Sequence, residues 1–140
     1  LELKIQSQTE KLIFVREFVS EAARKFGFDD EAVSKIALAV DEACTNVIKH
    51  SYDYAPNREI EVKIATKNTT FEVVIIHQGK SFDPQAVKSP DMKEYLTHFR
   101  RGGLGMHLMR SLMDGVEYRT GKDQRSEVHL VKHLPLKVAR

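Results

Sequence analysis

The chain has 140 residues, with 22 Lys+Arg against 20 Asp+Glu, 41% apolar and 30% charged side chains. That length fits one domain with a real hydrophobic core, and the apolar fraction excludes wholesale disorder. No apolar run approaches the ~18 residues of a membrane span, and no basic-then-apolar segment opens the chain as a signal peptide does. The chain begins at Leu1 rather than Met, as a fragment of a longer protein does. A lone cysteine, Cys44, forms no internal disulfide, so a reducing, cytoplasmic compartment is expected. The segment from Arg119 to Arg140 carries an excess of basic residues. These neither cluster nor alternate with aromatics as single-strand binders prefer, so they are read as solubilising, and neither nucleic acid nor membrane is expected as a direct partner.

In chain order, Leu1, Leu3 and Ile5 alternate with polar residues as a one-sided strand does. Thr9 precedes Leu12, Val15, Val19, Ala22 and Phe26, whose spacing is that of an amphipathic helix ended by Gly27. Asp29 or Asp30 caps a second helix with apolar positions Val33, Ile36, Val40, Ala43 and Val47, ending near Ser51. Ile60, Val62 and Ile64 face one way along a strand, and Lys67-Asn68-Thr69-Thr70 turns the chain. The run from Phe71 to Ile76 is almost continuously apolar and reads as a central strand. Ser81-Phe82-Asp83-Pro84 has the chemistry of a helix start, and Lys88 to Arg101 that of a long loop. A third helix is expected from Gly103 to Met113, then a hairpin of Val116 to Thr120 and Glu127 to Leu134. The order β-α-α-β-β-loop-α-β-β makes an α+β, two-layer sandwich: a mixed, mostly antiparallel sheet with helices on one face.

Three groups of residues have chemical potential. Glu42 and Asn46 lie one turn apart on the second helix, at the border of its apolar stripe. A carboxylate there can act as a general base and an amide oxygen can ligate Mg²⁺; an ordinary solvated i, i+4 pair has the same spacing. Arg100-Arg101-Gly102-Gly103-Leu104-Gly105 opens the third helix. Its glycines let backbone N–H groups approach a phosphate and its arginines can clamp an anion, though a simple glycine turn reads the same way. His77-Gln78-Gly79 leaves the central strand, where a histidine either meets a ligand or bonds within the strand end. Cys44 falls in the apolar arc and is expected to be packed, not reactive. The histidines show no zinc spacing, and neither a Gly-x-Ser-x-Gly elbow nor a Walker loop is present.

In this order the motifs resemble the GHKL (Bergerat-fold) ATPases, and more narrowly the bacterial anti-sigma factor serine kinases. Glu42-Ala43-Cys44-Thr45-Asn46 with His50-Ser51-Tyr52 is similar to the family's N box. Gly79-Lys80-Ser81-Phe82-Asp83-Pro84 is similar to the back of its first glycine box, and Arg101-Gly102-Gly103-Leu104-Gly105-Met106 to its second. The resemblance implies a single ATPase domain over residues 1–140, using ATP and Mg²⁺, with an ATP lid over about 84–102. It implies a kinase that phosphorylates a serine of a STAS-type anti-sigma-antagonist protein and sequesters a sigma factor, commonly as a homodimer. Carried over by position, Glu42 is the general base, Asn46 the Mg²⁺ ligand, and Gly79, Arg101, Gly103, Leu104 and Gly105 nucleotide-binding residues. His77 stands where the family has an adenine-binding aspartate, a departure that implies altered adenine recognition. Two other readings remain: a protein-binding module of the same fold with impaired ATP binding, and the catalytic domain of a two-component histidine kinase.

Overall fold

The computed structural model describes residues 1–78 and 103–135. The expected helix start at Asp83, the lid, Gly79 and Arg101 all lie outside the described residues. Strand β1 (Glu2–Gln6) leads through a single 3-10 turn at Thr9–Lys11 into α1 (Leu12–Phe26), and α2 (Asp30–Asn46) follows. A π-helical turn (Val47–Ser51) extends α2, and β2 (Glu59–Lys67) and β3 (Thr70–Gln78) come next. Helix α3 (Gly103–Leu112), β4 (Gly115–Thr120) and β5 (Arg125–His133) complete the order. The five strands form one sheet in the order β1-β2-β3-β5-β4, and all four ladders are antiparallel.

The helix boundaries follow from local chemistry. Gly27 ends α1 at φ 119°, a left-handed conformation that an L side chain strains to adopt, and its N–H donates to the carbonyls of Ala23 and Arg24. Asp29 caps α2 by accepting from the Ala32 N–H at 2.8 Å. On α1 the buried stripe is Leu12, Val15, Val19 and Ala23, whereas the expected Ala22 and Phe26 are only half-buried. At 100° per residue Ala23 continues the stripe from Val19 as well as Ala22 does, and the tilt of the helix on the sheet selects it.

Both hairpins are tighter or longer than the composition indicates. Lys67 and Thr70 pair across the ladder, leaving Asn68 and Thr69 as the tip, with Asn68 at φ 55°. In the last hairpin Arg125 and Ser126 already pair with β3, so β5 starts two residues before the expected Glu127 and ends at His133. Residues 121–124 form the turn, with Asp123 and Gln124 both at φ 60°.

The core lies between the helices and the inner sheet face. Helix α2 packs between α1 and α3. Under it sit Ile60 and Val62 of β2, Val73 and Ile75 of β3, and Val128 and Leu130 of β5, all buried. At one end Phe26, Phe28 and Phe71 form an aromatic cluster with ring centroids 5.6 to 5.8 Å apart. Phe71 is fully buried, so Phe71→Ala leaves an aromatic-sized hole. The expected destabilisation is about 3–5 kcal/mol, measured as a lower urea midpoint with an unchanged slope.

Candidate nucleotide-binding site

The end of the sheet opposite the aromatic cluster holds the candidate site. Inner-face alternation along β3 places Val73, Ile75 and His77 in one row. The β3–β5 register sets His77 directly opposite Ser126, and the β4–β5 register sets Ser126 opposite Thr120. The C-terminal turn of α2 covers this corner. A cleft with about 390 Å³ of empty space, part of it open to solvent, lies between them. Its walls include Ala43, Asn46 and Val47 from the helix and His77, Tyr118, Thr120, Ser126 and Val128 from the sheet.

Three polar side chains in this wall, Asn46, His77 and Ser126, are deeply buried. Asn46 is 5% exposed and Ser126 6% exposed, and among the described residues Asn46 Nδ2 and Ser126 Oγ have no hydrogen-bond partner. Leaving a buried polar atom unpaired costs about 1–3 kcal/mol, so both are candidate ligand contacts. The oxygen and nitrogen of the Asn46 amide exchange by a flip, so the side chain can turn either towards the cleft. Asn46 also sits at the junction where α2 widens into its π-helical turn, a distortion frequent at functional sites.

Tyr52 fixes the histidine. Its ring stands edge-on to the His77 ring, with centroids 5.6 Å apart and planes at 89°. The Tyr52 hydroxyl donates to the Glu59 carbonyl and accepts from the Gln78 N–H at 3.1 Å, and the Arg58 guanidinium lies 5.1 Å above the ring centroid. The π-helical turn is thereby tied to β2 and β3 beside the cleft.

The sequence-derived residues divide into three groups. Asn46 and His77 come together in the cleft wall. Glu42 lies one turn before Asn46 on α2, half-buried, and is not part of that wall. Burial, and then the adjacent Asp41, raise the Glu42 carboxyl above the ordinary glutamate range, with Lys49 partly offsetting them. Gly103, Leu104 and Gly105 form the first turn of α3, as expected of a helix that opens on glycines. Gly79 and Arg101 lie outside the described residues. Ser126 and Thr120 were not singled out by the sequence. The alternation Ser126, Val128, Leu130 was the available signal, but the strand was expected to start one residue too late to use it.

The fold agrees with comparisons to known proteins. The histidine kinase-like ATPase domain matches residues 5–132. The chain belongs to that family. The serine-protein kinase RsbW of Bacillus subtilis is 30% identical over 139 residues, covering 96% of this chain and 85% of that protein. The RsbW of Bacillus velezensis is 32% identical over 125 residues, covering 86% of this chain and 78% of that protein. One from Bacillus licheniformis is 33% identical over 140 residues, covering 96% and 85%. The crystal structure of the RsbU and RsbW domains of a Mycobacterium tuberculosis protein superposes with a TM-score of 0.67 at 16% identity. It matches 95% of this chain and 31% of that longer chain, and supports the fold. The Bacillus relatives at this level of identity, 30 to 33%, are serine-protein kinases of the RsbW group.

Cys44, within the N box, is fully buried, and burial pushes its thiol up to about 12. Alkylation by iodoacetamide at pH 8 is therefore expected to be undetectable in the native protein and complete in denaturant. Rapid native labelling, followed by mass spectrometry, would count against a packed thiol.

Proposed function

We propose that this chain binds ATP with Mg²⁺ in the cleft and transfers the γ-phosphoryl group to a serine of an antagonist protein. The observation that carries the reading is the buried Asn46, whose Nδ2 has no partner among the described residues, in the same wall as His77 and one turn from a half-buried Glu42 of raised pKa. The purine fills the end lined by His77, Tyr118 and Ser126, and the phosphates extend past Asn46. Asn46 would fit Mg²⁺: its Nδ2 has no hydrogen-bond partner among the described residues, and its amide, turned by a flip, would supply a hard oxygen ligand. Mg²⁺ held there would supply charge neutralisation to the phosphates.

The protein groups do the remaining work by positioning. The Glu42 carboxylate takes the proton of the substrate serine hydroxyl as its oxygen attacks the γ-phosphorus, with ADP as the leaving group. Its raised pKa makes it a stronger base than a solvated glutamate. The opening turn of α3 offers backbone N–H groups and the positive end of the helix dipole to anionic oxygens, and the glycines there leave room for close approach. Gly79 and Arg101 complete the nucleotide set by sequence position. Kinship with the RsbW kinases supports an anti-sigma role in which a homodimer holds a sigma factor and a STAS-type antagonist is the substrate. Among the described residues no helix is long and apolar enough to cross a membrane.

His77 in place of a carboxylate favours a second reading, a protein-binding module of impaired ATP use. Titration calorimetry with ATP and ADP separates the two: micromolar, Mg²⁺-dependent binding supports the kinase, and silence at millimolar nucleotide supports the module. For Glu42→Gln, phosphoryl transfer from γ-labelled ATP to the antagonist is expected to fall by about 10²–10⁴ with ADP affinity retained. Transfer at the wild-type rate would remove Glu42 from the mechanism.

The pH profile is a separate check. A glutamate held above its ordinary value is ionised only above that raised value. Activity should therefore fall, as pH drops, at a higher pH than for a solvated glutamate, and Lys49→Ala should move this acid limb higher still, because Lys49 lowers the carboxyl. An unmoved limb would argue against Glu42 as the titrating base.

A further inference from the structure

The end of strand β3 is not held as the rest of its ladder is. The β2–β3 register closes with Ile60 opposite His77, one pair short of the strand ends at Glu59 and Gln78. The Ser7 N–H donates to the Arg58 carbonyl at 2.9 Å, so Arg58 turns its backbone towards β1 and Glu59, next along, turns its own towards β3. Glu59 and Gln78 therefore face each other, each with a backbone donor and a backbone acceptor. A side chain comes between them. The Tyr52 hydroxyl donates to the Glu59 carbonyl and accepts from the Gln78 N–H at 3.1 Å. The Gln78 carbonyl accepts from the Arg58 guanidinium at 3.3 Å, and that guanidinium lies 5.1 Å above the Tyr52 ring. Burial holds the Tyr52 phenol above its usual range, against the pull of the Gln78 N–H and Arg58, so the hydroxyl keeps the proton it donates.

Tyr52 belongs to the helix side of the cleft as well. It follows the π-helical turn directly, and its own N–H donates to the Val47 carbonyl at 2.9 Å. Asn46 and Val47 line the cleft from the helix and His77 lines it from the sheet, with the Tyr52 ring edge-on to the His77 ring. One residue thus joins both walls, tied by its backbone to the first and by its hydroxyl to the strand end of the second. We infer that Tyr52 is a positioning residue for the nucleotide site. Its hydroxyl is a wedge that keeps β2 and β3 from closing by one more pair, and so sets where His77 stands relative to Asn46. The inference rests on the nucleotide-site reading above. Without the hydroxyl, the Gln78 N–H and the Glu59 carbonyl are complementary and meet directly, so the fold keeps its hydrogen bonding. The cleft then loses its preset width, and a nucleotide has to reopen the extra pair before it binds.

Tyr52→Phe removes the hydroxyl and keeps the ring, which separates a wedge from a merely structural bond. Calorimetric titration of the full chain with ADP should show binding weakened by about 10-fold, the equivalent of one hydrogen bond broken at each binding event. The urea midpoint should stay at the wild-type value. The Gln78 N–H, followed by NMR hydrogen exchange, should stay protected, because the Glu59 carbonyl takes the place of the hydroxyl. Arg58→Gln takes the guanidinium off the ring and off the Gln78 carbonyl, and should weaken ADP binding in the same direction by a smaller factor. An ADP affinity of Tyr52→Phe within about twofold of wild type would overturn the inference and leave the nucleotide site standing. A fast-exchanging Gln78 N–H in that variant would do the same, since the strands would not have closed. Should Tyr52→Phe not fold, Arg58→Gln decides, and wild-type ADP affinity there counts against the wedge. No ADP binding by the wild-type chain would overturn the nucleotide reading and the inference with it.

Discussion

The apolar stripe of α2 is the constraint on which the rest of the structure depends. Val33, Ile36, Val40, Ala43 and Val47 must face the sheet together, and packing between α1 and α3 leaves the helix no freedom to rotate about its axis. Once those five positions are set, the 100° step decides everything else on the helix. Cys44 is carried into the core and Glu42 to its border. Asn46, adjacent to Val47, is dragged under the surface although its Nδ2 has no hydrogen bond among the described residues. A polar group is tolerated at such a place because the core around it contributes far more than the few kcal/mol that one unpaired amide costs. The site is built from the far end of the element that holds the fold together.

The sheet supplies the second half of the site by the same logic. Strand β3 is central, paired on both sides, so its register is fixed by two ladders at once. Shifting either ladder by one residue would turn Val73 and Ile75 out to solvent. His77 therefore faces the helix layer with the same certainty as the valines before it, and Ser126 opposite it cannot face elsewhere. Tyr52 closes the junction between the layers: its hydroxyl bonds link the π-helical turn to the strand ends. Helix stripe and strand parity are independent patterns, and the cleft lies where they converge.

This explains how much was legible in the sequence. The order of elements, the central place of β3, the caps at Gly27 and Asp29 and the burial of Cys44 rest on local patterns that the packing had no reason to override. The errors lie where a choice between adjacent residues was left to tertiary packing. Ala22 and Ala23 are equally good stripe residues until the tilt of α1 is known. The start of β5 depended on whether Arg125 and Ser126, both polar, pair in a ladder, and polar residues carry no hydrophobic signal. Ser126 was missed for that reason. The π-helical turn was invisible because its residues keep the apolar pattern of the helix that they extend.

His77 shows how a single departure can be weighed against an intact surround. Removing a carboxylate from a cleft whose other groups had lost their roles should leave buried polar atoms with internal partners, since an unpaired one then costs stability for no return. In this cleft Asn46 and Ser126 retain unpartnered atoms in a buried wall, and Glu42 retains an environment that strengthens it as a base. The two carboxylate and guanidinium groups nearest the rim, Glu127 and Arg119, are meanwhile tied to neighbours on the outer sheet face. Strand parity is sufficient reason for that: Arg119 and Glu127 pair with each other between the inward-facing pairs Tyr118–Val128 and Thr120–Ser126, so a register that buries Val128 must turn them away from the core.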